Sequence, residues 1–441
     1  MSEGPIQRLE IQGAFQRFLR SEIAGSIVLL VCTVVALVWA NSPWAATYEH
    51  LIHQKVGVSW GKASFELSLQ HWVNDALMAV FFFVVGLEIK REVVLGHLSS
   101  VRQSVLPVAA ALGGMLVPAL LYSAFTFGTD SIRGWGVPMA TDIAFALGLL
   151  AVFGKRVPLG LKVFLAALAI ADDMGAVLVI AVFYTERIRF GALLAAGVLL
   201  AVLLVVDRAR KRRFGLTALF VVGVWVAVFA SGVHATVAGI LLALLVPVRS
   251  RIDPRRFIER TERDLAVLKE GELTPESMIS NARQFSAFSD LARAASDARP
   301  TGLRFEKNLH AAQAFFILPL FAFFNAGVSL GGKAMETLGS PISLGIIVGL
   351  VLGKQIGVTL FSWLAVKLAG AGLPEGVTWG QLYGAACLAG VGFTMSLFIS
   401  DLAFVSSETI EAAKIGILAA SSIAGVSGLL VLFLTLPRRE N

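Results

Sequence analysis

Apolar runs long enough to cross a lipid bilayer occupy most of this 441-residue chain, and they leave it few ways to fold. In hydrocarbon every backbone N–H and C=O must be bonded within the protein, so a spanning segment is a helix or a strand of a closed barrel. Barrel strands alternate apolar and polar residues. The runs here, such as Ile23–Ala40 and Leu161–Tyr184, are continuously apolar and predict helices. Twelve are expected, near 22–40, 71–95, 104–127, 132–152, 158–184, 190–207, 214–231, 233–247, 311–329, 341–368, 379–401 and 410–436. Only 15% of residues are charged, against about 25% in a soluble domain. The expected class is an all-α polytopic membrane protein. Its net charge of +7 reads as basic loops on one membrane face, with the bilayer rather than nucleic acid as partner. The run Ile23–Ala40 is too long for a signal-peptide core and lacks a clear cleavage site, so it reads as the first span. Cys32 and Cys387 both lie in apolar segments and indicate no disulfide framework.

Basic residues set the orientation. They crowd one set of loops, at Lys90-Arg91, Lys155-Arg156 and 208–213, while the other set holds Lys55, Lys62, Arg133, Arg187, Arg189 and Lys333. Both termini are therefore expected inside, in keeping with an even number of spans. The chain divides into an N-terminal membrane half (1–248, spans one to eight), an inside insertion (249–310) and a C-terminal membrane half (311–441, spans nine to twelve). In the insertion, Thr274-Pro275-Glu276 has the form of a helix start. Met278, Ile279, Ala282, Phe285, Phe288 and Leu291 then recur at helical spacing. Two amphipathic helices are expected there, on the cytoplasmic face or packed on the bundle, serving regulation or none. The outside segment 41–70 has alternating stretches at Val56–Trp60 and Ala63–Leu69 that predict a β-hairpin turning at Gly61-Lys62. Its Trp44 and Trp60 suit the membrane interface or a homodimer contact.

Two adjacent aspartates, Asp172-Asp173, interrupt the apolar stretch Leu161–Tyr184. A charge at the centre of a spanning helix costs about 2.5–3.5 kcal/mol on insertion scales and usually marks an ion path or proton relay. Neighbours on a helix point about 100° apart, so one carboxylate is expected to line a watery cavity and the other to meet a partner on another helix. Lys354 is the basic residue near the middle of a span, and a buried lysine loses its proton or finds a carboxylate. Asp172 and Asp173 are its natural partners, with Asp142 the alternative. Asp142 follows Pro138, whose missing N–H and flanking glycines predict a helix broken inside the membrane, with Thr141 or Asp142 capping the second half. Gly390-Val-Gly392-Phe-Thr394-Met-Ser396 has the look of a second break. Paired interruptions in the two halves point to an inverted-repeat transporter with its site at mid-membrane. A further cluster stands near the inside helix ends, Glu88, Arg91 and Glu92 after the second span and Glu306 and His310 before the ninth. It suits an acidic cation entrance or simply solvated helix ends. His234 falls in the outside turn between spans seven and eight.

Several stretches resemble the NhaA sodium/proton antiporters: Asn74-Asp75-Ala-Leu-Met-Ala-Val-Phe-Phe, Gly86-Leu-Glu-Ile-Lys-Arg-Glu92, Ala140-Thr-Asp-Ile-Ala-Phe-Ala-Leu-Gly148, Ala169-Ile-Ala-Asp-Asp173, Ser231-Gly-Val-His-Ala-Thr236 and Leu318-Pro-Leu-Phe-Ala-Phe. That family is itself an example of the inverted-repeat arrangement. The resemblance implies electrogenic exchange of cytoplasmic Na+ or Li+ for external protons by alternating access, across a bacterial inner membrane, regulated by pH and needing no cofactor. It implies two discontinuous helices crossing at mid-membrane. It makes Asp173 the main ion ligand, helped by Thr141, and has Asp172 pair with Lys354 and exchange protons. Asp142 and Lys354 would offset the partial charges where the broken helices cross. Glu88, Arg91, Glu92, Glu306 and His310 would form a pH-sensing cytoplasmic entrance, and His234 would affect the pH response. The chain departs from the family's pattern in its long insertion, in Lys307 after Glu306, and in Ala311-Ala312 after His310. Two other functions compete. A passive cation channel would not couple to protons. An intramembrane aspartyl protease would pair Asp142 with Asp173 but needs Tyr-Asp and Gly-x-Gly-Asp motifs, which are absent.

Overall fold

The computed structural model describes residues 5–60, 63–185, 188–208, 214–249, 252–270, 281–331 and 334–437. In chain order its principal helices are α1 (Pro5–Ala40), α2 (Ala45–His53), α3 (Leu69–Val94), α4 (Val101–Phe125), α5 (Ile143–Ala151), α6 (Leu159–Phe183), α7 (Phe190–Arg208), α8 (Phe214–Ser231) and α9 (Ala235–Leu245). Then follow α10 (Pro254–Lys269), α11 (Ala282–Ala298), α12 (Thr301–Asn325), α13 (Pro341–Leu368), α14 (Trp379–Ala389), α15 (Phe393–Ala403) and α16 (Ser407–Thr435). Among the described residues, 8 helices are long and apolar enough to cross a membrane, and α14 with α15, bent by 43° at their break, makes up to 9. Three shorter apolar helices, within α7, α8 and α9, fall where the remaining expected spans lie. The protein is a multi-pass helical membrane protein.

Expected and observed boundaries differ where hydropathy and backbone bonding part company. The ninth span was expected from 311, yet α12 begins at Thr301. Side chains turn polar over 301–310, which ends the hydropathy signal, but the helical hydrogen bonding continues. The segment before the first break is a 3-10 helix, Asp130–Met139, rather than an α-helix. The expected β-hairpin forms, β1 (Lys55–Trp60) against β2 (Ala63–Ser68), antiparallel from Lys55↔Ser68 to Trp60↔Ala63. Its expected turn, Gly61-Lys62, lies outside the described residues. Ser68 ends the strand early by capping α3, accepting from the His71 N–H at 3.2 Å.

Among its described residues the insertion has the helices α10 and α11, started by Asp253 with Pro254 behind it and by Asn281. The helix start expected at Thr274-Pro275-Glu276, with Met278 and Ile279, lies outside the described residues. Phe285 and Phe288, read as part of the helical apolar spacing, are 55% and 53% exposed, while Gln284, Ala287 and Ala294 are buried.

Close backbone contact sets the site's frame. Gly113 of α4 and Gly357 of α13 meet so tightly that a Cβ on either would lie 2.2 or 2.1 Å from the other's carbonyl oxygen. Small residues bring membrane helices this close, and Lys354 stands one turn before Gly357. At the second break Gly390 and Gly392 have ordinary negative φ, so their role is space. A Cβ at Gly390 would sit 2.4 Å from the Leu350 carbonyl oxygen, and one at Gly392 2.8 Å from that of Ala140. Both obstacles are backbone and yield little. Gly390→Val should therefore cost about 1–3 kcal/mol by overpacking, seen as a lower thermal unfolding midpoint in detergent. An unchanged midpoint would mean that α14 does not approach α13 as described.

Candidate functional site

The two breaks touch. At the first, Pro138 closes the 3-10 segment, and Ala140, Thr141 and Asp142 run extended before α5 begins. At the second, the chain passes from α14 to α15 over Gly390–Gly392. The Asp142 N–H donates to the Val391 carbonyl at 2.7 Å, and Ser396 Oγ donates to the Val137 carbonyl at 2.8 Å. Each break thus satisfies polar backbone groups that the other exposes, as a broken helix at that depth requires.

Asp142 is the cap of α5, as one of the two expected alternatives had it. Its Oδ1 accepts from the Phe145 N–H at 3.1 Å, while Oδ2 accepts from the Thr394 N–H at 2.9 Å and Thr394 Oγ1 at 2.6 Å. One carboxylate therefore faces the positive N-terminal ends of both α5 and α15. With both oxygens so engaged, Asp142 is poorly placed to form a proteolytic dyad with Asp173.

Thr141 does not cap. Its hydroxyl lies 2.7 Å from Asp172 Oδ2 and 2.9 Å from the Ala389 carbonyl, and it accepts from Lys354 Nζ at 2.9 Å. Lys354 also donates to Asp172 Oδ2 in a short ion pair with both side chains fully buried. Of the three carboxylates open to it in the sequence, Lys354 takes Asp172. It reaches the C-terminal carbonyls of α14 only through Thr141, while Asp142 alone serves the two N-termini.

Asp173 stands apart. It is 1% exposed, its Oδ1 is buried without a hydrogen-bond partner, and Asp172 Oδ1 is in the same condition. Glu88 and Asp142 are near enough to interact with it electrostatically. Thr141, Asp142, Asp172, Asp173 and Lys354 thus converge in one buried centre, with Thr394 as a member whose hydroxyl the sequence reading noted without giving it a role.

The cluster expected at the inside helix ends also assembles. Arg91 Nη1 lies 2.9 Å from Glu306 Oε1, joining α3 to α12, and Glu92 is 8% exposed rather than solvated. His310 is one turn beyond Glu306 and interacts with it. His234 does not belong to this group: it sits before α9, its Nε2 2.9 Å from the Tyr184 carbonyl, on the wall of a separate cavity of about 500 Å³. Gln70, His71, Asn74, Asp75 and Asp401 also line that cavity. Asn74 donates to Asp401 Oδ2 at 3.0 Å and exchanges hydrogen bonds with Asn325 of α12, 3.1 and 2.7 Å long. Asp401 and the buried Lys414, which acts on it electrostatically, passed unnoticed in the sequence. Each lies near a span end, where a charge is ordinary, and only their approach across α15 and α16 gives them a shared place.

The family model described as Na+/H+ antiporter 1 matches residues 16–432. The chain is 47% identical to the Na+/H+ antiporter NhaA of Oleidesulfovibrio alaskensis over 438 residues, 99% of this chain and 96% of the relative. It is 46% identical to the NhaA of Bordetella parapertussis over 94% of each chain. To Na+/H+ antiporter NhaA 1 of Saccharophagus degradans it is 43% identical, over 94% of this chain and 90% of the relative. Matched through its breaks, its buried centre and both polar clusters, the chain belongs to the Na+/H+ antiporter 1 family.

Proposed function

We propose that this protein exchanges Na+ or Li+ for protons at the Asp172–Asp173 centre. The observation that carries the reading is Asp173 itself, a buried carboxylate oxygen with no partner beside a carboxylate already paired with lysine. A bare charge so placed is unfavourable unless a cation joins it. A proton serves at low pH. When it leaves, Na+ takes its place, held by Asp173, the unpartnered Oδ1 of Asp172 and the Thr141 hydroxyl. The two cations exclude each other because they answer the same charge, and alternating access turns exclusion into exchange. The cation also draws Asp172 from Lys354, whose own proton then departs. Two protons cross for one Na+, and each cycle moves one net charge.

The remaining assignments follow as part of this proposal. Twelve spans form an inverted repeat, with membrane halves 1–248 and 311–441 and the insertion 249–310 between them, in a bacterial inner membrane with both termini inside. Glu88, Arg91, Glu92, Glu306 and His310 form the inside port and set the pH response, while the cavity of Asp75, His234 and Asp401 is the outside port. The 41–70 segment pairs two copies of the chain.

In inside-out vesicles acidified by respiration, added Na+ should release protons with the wild type and not with Asp173→Asn. Retained activity in the variant would place the ion elsewhere. Competition also fixes a sign. On the acid side of the site's titration, the Na+ concentration for half-maximal exchange should rise about tenfold per pH unit for each competing proton, and a pH-independent value would exclude a shared site. Lys354→Ala strands a buried aspartate and should destabilise by about 3–5 kcal/mol. The double variant Lys354→Ala/Asp172→Ala should recover part of that loss in thermal unfolding, and equal losses would mean that the pair is not coupled.

A further inference from the structure

The helices of the insertion are built the wrong way round for a hairpin in water. Where α10 and α11 pack, Arg260 lies 3.8 Å from Asp290, and the buried atoms include Thr261 Oγ1, Asp264 Oδ2 and both amide atoms of Gln284, all without hydrogen-bond partners. The large apolar side chains face out instead: Ile258, Leu265, Phe285 and Phe288 are 43–55% exposed.

These four share one side. On α10 the positions turned toward α11 are Thr261, Asp264 and Leu268, and at about 100° per residue Ile258 and Leu265 lie roughly a quarter turn further round. On α11 the inward positions are Gln284, Ala287, Leu291 and Ala294, and in the same sense Phe288 lies roughly a quarter turn further round and Phe285 rather more than a third. The start of α10 and the end of α11 are both anchored near one point, where the Gly302 N–H of α12 donates to the Pro247 carbonyl at 3.0 Å, so the helices run antiparallel. In an antiparallel pair the same sense of rotation leads to the same side. Exposed Ala292 and Ala295 extend the strip along α11, and exposed Arg255, Glu262 and Lys269 border it on α10, two basic side chains to one acidic.

The anchor identifies what covers this strip. Only Arg299-Pro300 separates α11 from the spanning helix α12, and Pro247 lies two residues beyond the apolar helix α9. The hairpin is therefore rooted where the bundle leaves the bilayer. An apolar strip edged by charged side chains, two of them basic, and held at that level has the form of a helix pair lying in the lipid headgroup layer.

We propose that α10 and α11 dock on the membrane surface, with Phe285 and Phe288 at the headgroup–acyl boundary and Arg255 and Lys269 on anionic phospholipid. Docking would hold the inner end of α12, which carries Glu306 and His310, at a fixed height above the bilayer. The test is spin labelling of the full chain in a Cys32→Ala/Cys387→Ala background, with a single label at position 285 or 288, or at the exposed polar Ser286. The protein is reconstituted in phosphatidylethanolamine–phosphatidylglycerol vesicles. Labels at 285 and 288 should be relaxed more by oxygen than by an aqueous nickel chelate, and the label at 286 the reverse. In phosphatidylcholine vesicles at high salt, the 285 and 288 labels should shift toward the nickel reagent. Equal access of nickel at all three positions would overturn the proposal, leaving the strip in water. So would labels at 285 and 288 shielded from both reagents, which would place a protein partner or second copy on it.

Discussion

The carboxylate of Asp142 is the interaction on which the rest of the site depends. A helix end carries about half a unit charge, and here the N-terminal ends of α5 and α15 point at the same place inside the membrane. Facing each other bare, they would repel and leave N–H groups unbonded at a depth where each unmade bond costs several kcal/mol. Asp142 answers both through the Phe145 and Thr394 amides. Once the breaks are joined, Thr141 is carried to Asp172 and Lys354. The centre then has two kinds of acid. One is saturated with hydrogen bonds and holds the fold. The other, Asp173, retains an oxygen bonded to nothing, and that is the kind that can change its cation.

Packing fixes where the lysine sits. The contact of Gly113 with Gly357 and the approach of Gly390 to Leu350 leave α13 little freedom beside the breaks. A turn of π-helix, Gly349–Gly353, comes immediately before Lys354, and another, Val73–Leu77, contains Asn74 and Asp75. Such turns frequently occur at functional sites. From Thr394 to Asp401, α15 runs two turns, about 10 Å, so one short helix connects the capping carboxylate to the wall of the cavity lined by Asp75, His234 and Asp401. A movement that tilts α15 is felt at both ends.

What the sequence made legible was what costs energy in a bilayer. Asp142, Asp172, Asp173 and Lys354 stood out because each is expensive in an apolar run, and Pro138 because it cannot donate. The lysine's partner stayed open among three aspartates, since no spacing says which helix faces which. Asp401 and Lys414 were missed because near the ends of a span a charge is unremarked. Phe285 and Phe288 were placed on an amphipathic helix, with its covering left open between the membrane face and the bundle. Periodicity identifies an apolar face but does not say whether protein or lipid will cover it.

On the proposed reading, adjacency in sequence lets the two aspartates perform coupled exchange. Like charges in close contact at an effective dielectric of about 20 repel by about 4 kcal/mol at about 4 Å. Lys354 offsets the charge on Asp172, but a bare Asp173 beside the pair would still lack a counter-charge. The centre is therefore at its worst when it holds neither proton nor Na+. Conformational change in that condition would carry a carboxylate with no cation beside it through the least polar part of the path, whereas with either cation bound Asp173 keeps one. A channel needs a site that empties freely. This site resists emptying, and that resistance favours exchange over leak.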